Sequence, residues 1–175
     1  MLRDWVPLFL FLHVMGAIVA FGPSFAFPLI GAASAREPQH AHFGAEISEV
    51  ITKRIVLPLA VVQGITGVLL IVALGLDLLN TRWLLVSIVL YLIAIGYSYF
   101  VQLPTGGRMV ELTAMAGGGP PPGAGGPPPG AGGPPPGAGG PPPELLATAK
   151  KLQRGGMFLS LLIVLIVLLM VTKPF

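Results

Sequence analysis

Four long runs without an Asp, Glu, Lys or Arg, residues 5–30, 55–76, 83–103 and 157–172, set the terms on which this chain can fold. At about 1.5 Å of helical rise per residue, each is long enough, or nearly so, to cross roughly 30 Å of hydrocarbon. The fourth is the shortest, and Gly155 and Gly156 can extend it. A chain of 175 residues that is 54% hydrophobic and 10% charged has more apolar surface than a soluble domain of that size hides in one core. The lipid bilayer is therefore the expected solvent. The fold class expected is all-α: a polytopic membrane four-helix bundle, in which each helix satisfies its own backbone hydrogen bonds.

The first run carries the one imidazole placed at membrane depth, His13. At roughly 100° per helical residue, His13, Gly16, Ala20 and Ser24 fall within about 80° of one another, so one stripe is small or polar while the rest is apolar. Small residues let backbones approach, and an imidazole is costly against hydrocarbon, so this stripe should meet other helices. In the second run, Gln63, Gly64, Thr66 and Gly67 form a matching cluster, since Gln63 facing lipid would leave its amide unsatisfied. In the third, Ser87, Tyr91, Ala94 and Ser98 share a face that Gln102 prolongs. Three helix-packing stripes are thus expected to face one interior. The fourth run offers it only Ser160 and reads as a packing or lipid-facing helix.

Residues 1–116 hold the first three spans. Within them, 42–54 reads as a short amphipathic helix along the membrane interface, with Phe43, Ile47, Val50 and Ile51 at helical spacing beside Glu46, Glu49 and Lys53. Pro23 and Pro28 predict a kink or an early end to the first span. Residues 117–143 are low-complexity, with Pro-Pro-Pro-Gly-Ala-Gly-Gly repeated three times from Pro120. The period of seven does not meet collagen's need for glycine at every third position, and no large apolar side chain is present to bury. The segment is expected to be a disordered Pro/Gly-rich cytoplasmic linker, either a plain spacer or a ligand for proline-recognition partners. Residues 144–175 supply a helix and the fourth span, and 108–116 and 144–154 could prolong spans 3 and 4 as a hairpin.

The cations are scattered at the ends of the runs and form no patch, so nucleic acid is not an expected partner. Arg3, Arg82 and Lys173 fall on one side of a four-pass layout, and Arg36, Lys53, Arg54, Arg108, Lys150, Lys151 and Arg154 on the other. That imbalance predicts both termini outside and the 1–2 and 3–4 loops cytoplasmic. Trp5 and Trp83 would anchor the same outer interface. Ala33-Ser34-Ala35 has the form of a signal-peptidase site, but the apolar run before it exceeds a signal peptide's, so it reads as a retained span.

Chemistry is thinly represented. Cysteine is absent, which excludes disulfides and thiolate sites, and no phosphate loop, nucleophile motif or metalloprotease signature is present. No carboxylate lies inside a run, so a proton- or ion-coupled relay lacks its usual residues. His13 is the candidate cofactor ligand, since imidazole can hold haem iron or copper; the other reading is a histidine hydrogen-bonded to a neighbouring helix. Met15 points about 200° away from it and is no evident co-ligand. His40 and His42 make a two-ligand pair too sparse for a metal site.

Residues 11–18, ending in His13, Val14, Met15, Gly16, Ala17 and Ile18, followed by Phe21-Gly22 and by Gln63-Gly64 ahead of Thr66-Gly67, resemble an uncharacterised family of predicted bacterial integral membrane proteins. That family is more distantly similar to the CopD-type copper-resistance membrane proteins and to the membrane protoporphyrinogen oxidase of the haem pathway. The resemblance implies a four-helix membrane fold and gives His13 the place of those relatives' span-1 histidine. Where they often have Trp-x-Gly, this chain has Phe21-Gly22. The expectation is a non-enzymatic membrane bundle of unknown molecular role, possible as a homo-oligomer or with a membrane protein partner. The alternative is a haem- or copper-binding redox subunit using His13.

Overall fold

A computed structural model describes residues 2–78, 80–117 and 141–174. Most of the 117–143 repeat, and with it the linker expectation, lies outside the described residues. Helix α1 (Val6–Arg36) follows a tight turn at Leu2–Trp5. Helix α2 (Ala41–Ile51) passes through a π turn, Thr52–Val56, into α3 (Leu57–Leu74). Helix α4 (Arg82–Tyr97) passes through a second π turn, Ser98–Gln102, into α5 (Leu103–Gly117), and α6 (Pro143–Thr172) comes after the repeat. The result is four helical rods, Leu2–Arg36, Pro38–Leu74, Arg82–Ala116 and Pro143–Thr172, each long and apolar enough to cross a membrane. Rods of 30 to 37 residues are roughly 45–55 Å long, so they overrun the hydrocarbon and carry charged ends into water.

The sequence predicts a short amphipathic helix over 42–54 that lies along the interface and feeds span 2. The structure instead runs it unbroken into span 2, packed on α5 and α1. The reason lies in how each proline is absorbed. Pro58 has no N–H to give the carbonyl four residues back, and its ring crowds that position. The helix widens just before it, with the Leu57 N–H reaching five residues back to the Thr52 carbonyl. Pro104 does the same to the third rod, where Leu103 N–H reaches the Ser98 carbonyl. Helix α1 likewise continues through Pro23 and Pro28 to Arg36. At the far end of α3, Gly75 adopts φ 65° and donates to the α3 carbonyls, with Leu76 N–H reaching Ile71 O, a left-handed cap that favours glycine.

Packing pairs α1 with α3, α2 with α5 and α4 with α6, while α6 also touches α1 and α5. Consecutive helices α3 and α4 make little close backbone contact. Most of what is buried is small or polar, Ala20, Ala60, Ala73, Gln63, Thr66, Ser87, Thr105 and Thr113, beside four leucines, Leu57, Leu84, Leu112 and Leu162. What is exposed is large and apolar, including Phe11, Ile18, Leu29, Val68, Val72, Leu92, Leu161 and Val171. A water-soluble bundle arranges these the other way round, so the surface is one made for lipid.

Candidate polar seam between the first and second spans

The seam is built where α1 and α3 press together. Gly16 and Gly67 keep the two backbones close enough for short polar side chains to meet. The His13 Nδ1 lies 3.0 Å from Thr66 Oγ1, and the Thr66 hydroxyl donates to the Gln63 carbonyl, also at 3.0 Å. A hydroxyl has one proton. With that proton on the carbonyl, Nδ1–H donates to Thr66 Oγ1; with it turned to Nδ1, the imidazole accepts, so the tautomer of His13 sets the direction of the bond. The ring rests on Gly67, where a Cβ would stand 3.2 Å from His13 Cε1.

Gln63 faces the other way along the seam. A Cβ on Gly16 would stand 2.8 Å from its Oε1, and this oxygen is buried with no hydrogen-bond partner among the described residues. Tyr91 spans the space between α4 and α3. Its hydroxyl donates to the Ala60 carbonyl at 2.7 Å, and a Cβ on Gly64 would meet that hydroxyl at 2.6 Å and the ring at 3.1 Å. Gly16, Gly64 and Gly67 thus each receive one polar side chain from a neighbouring rod.

Of the residues singled out in the sequence, His13, Gly16, Gln63, Gly64, Thr66, Gly67 and Tyr91 come together here. Ser87 is fully buried about one turn before Tyr91 and donates to its own helix at Trp83 O, 2.8 Å away. Ala20 is fully buried on α1. Ser24 is half-buried roughly 12 Å beyond Gly16 on α1, outside the cluster. Ser98 donates to Ala94 O at 2.8 Å and takes no part in it. Met15 points outward, as its spacing predicts.

A second seam, between α4 and α6, is one that the polar stripes do not predict. Gly155 is buried, and a Cβ there would collide with the Gln102 carboxamide and stand 2.9 Å from the Tyr97 hydroxyl. The Gln102 Nε2 donates to Leu152 O at 3.2 Å, and Tyr97 meets Phe158 edge-on, ring centres 5.1 Å apart. The spacing of Gly155, Phe158 and Leu162 holds the signal, a small residue leading an apolar stripe.

Where the rods leave the apolar zone on the repeat's side, charged pairs replace these contacts. Arg108 bonds Glu144 through Nε and Nη2, at 3.0 and 2.6 Å, and Glu111 through Nη1 at 3.0 Å, tying α5 to the start of α6. Lys53 pairs with Glu49 at 2.8 Å. His40 turns to Glu37 and His42 to Thr113, so the two histidines engage different partners. Among the described residues, no three His, Cys, Asp or Glu side chains gather as a metal would need.

A family model described as a predicted integral membrane protein (DUF2269) matches residues 7–118, which takes in α1 to α5. No curated protein and no solved structure matches the chain.

Proposed function

The chain belongs to the DUF2269 family of predicted integral membrane proteins, and on that premise we propose that it works as a non-enzymatic bundle of the bacterial inner membrane. In this reading the His13–Thr66 contact is a clasp between spans. The carrying observation is that His13, Thr66 and Tyr91 each bond across or along the rods, and their partners are a hydroxyl and two backbone carbonyls. The cations support an orientation with the repeat's side cytoplasmic, since Arg36, Lys53, Arg54, Arg108, Lys150, Lys151 and Arg154 gather there. The exposed apolar surface suits a second copy or a membrane protein partner as well as lipid.

A second reading, haem or copper held by His13, draws on one feature. Thr66 engages Nδ1, and a hydrogen bond to one ring nitrogen is what orients a metal-bound imidazole. Absorbance and metal content of detergent-purified protein separate the two. The clasp predicts a colourless, metal-free preparation whose His13→Ala variant melts lower. A Soret band or bound copper that disappears in His13→Ala would overturn it.

A further inference from the structure

We propose that the groove beside the second π turn seats the phosphate of an anionic phospholipid. Its level comes from where the apolar runs stop. Lys53 and Arg54 directly precede the second run, Leu103 ends the third, and Arg154, Lys151 and Lys150 come within about two helical turns before the fourth. The opposite boundary is marked by Trp83, with the Lys173 ammonium 5.7 Å above its ring. Trp83 and Leu103 are about 30 Å apart along their rod, one hydrocarbon thickness, so the groove opens at the headgroup level.

The groove, about 260 Å³, is open to its surroundings and lined by apolar Phe100, Val101 and Pro104 and by polar residues that include Thr148, Lys151 and Arg108. Phe100 is 83% exposed, the face an acyl chain or glycerol backbone would cover. Glu144 and Glu111 already occupy the Arg108 guanidinium. Lys151 is different: no carboxylate pairs with it among the described residues. Thr148 stands one turn before it, so an ammonium and a hydroxyl line the same groove and can both donate to phosphate oxygens. A phosphatidylcholine headgroup would bring a second cation to Lys151; phosphatidylglycerol brings only the anion.

Lys150 provides the internal comparison. It feels the same surface potential but points roughly 100° away from Lys151 and does not line the groove. The test is native mass spectrometry of the full chain in detergent, titrated separately with phosphatidylglycerol and phosphatidylcholine. A built site predicts a phosphatidylglycerol preference that falls about fivefold in Lys151→Gln and less than about twofold in Lys150→Gln. Thr148→Phe, which fills the groove and leaves every charge in place, should abolish the preference too. Equal losses in the two lysine variants would mean diffuse attraction and overturn the proposal. So would the absence of any preference, or full displacement of the lipid by inorganic phosphate.

Discussion

The α1–α3 and α4–α6 seams solve one problem with different parts. Both set a glycine under a polar side chain from the facing rod, so that the rods can close without a void. At Gly16 the visitor is the far end of a flexible amide, whereas at Gly155 it is both an amide and the ring of Tyr97, itself held by Phe158. Gly64 resembles Gly155 in this respect, because the Tyr91 ring lies over it. A glycine's tolerance thus depends less on how near its neighbour is than on whether that neighbour can move aside.

Leucine substitutions should break that comparison most visibly. Gly64→Leu and Gly155→Leu have rings to displace and should each lose about 1–3 kcal/mol, read as a lower melting midpoint by circular dichroism in detergent. Gly16→Leu should lose less, since Gln63 can swing away. Gly22→Leu, Gly96→Leu and Gly156→Leu meet open space and should stay within about 0.5 kcal/mol of the parent. Equal losses at Gly16 and Gly155 would end the distinction between a yielding and an unyielding visitor.

A smaller effect sharpens the chemistry of the first seam. His13→Ala and Thr66→Val, alone and together, form a double-mutant cycle in which the pair should show a coupling of about 1 kcal/mol. Strict additivity would mean that the 3.0 Å contact does not hold the rods together. The smallest effect belongs to the charged end. Arg108→Gln should leave the melting midpoint unchanged within error, because exposed ion pairs compete with water and salt.

Much of the first seam was legible in the sequence because its residues lie on the unbroken α1, after the π turn of the second rod or before that of the third. Within such a stretch, roughly 100° per residue stays true, and His13 to Gly16 or Gln63 to Gly67 project as they should. Gln102 lies at the end of a π turn. A turn closed five residues back acts as a one-residue insertion and sets the residues beyond it back by roughly 100°. The stripe drawn from Ser87 through Ser98 therefore no longer predicts where Gln102 points, and it reaches α6 at Leu152 O instead. The four rods themselves could be read from hydropathy, since length and apolarity are properties of a run and do not depend on phase. The continuity of α2 into α3 could not, because a proline announces an interruption without saying whether the helix will break or merely widen.

The two widened turns flank one groove, Lys53 in the first and Tyr99 and Phe100 in the second. Each works as a slip joint. The extra residue it holds turns the outer part of its rod by roughly 100° relative to the part that carries Gly64 or Tyr91. The charged storey beyond the joints thereby presents a different face to its neighbours from the one that the glycine-seated storey presents within them.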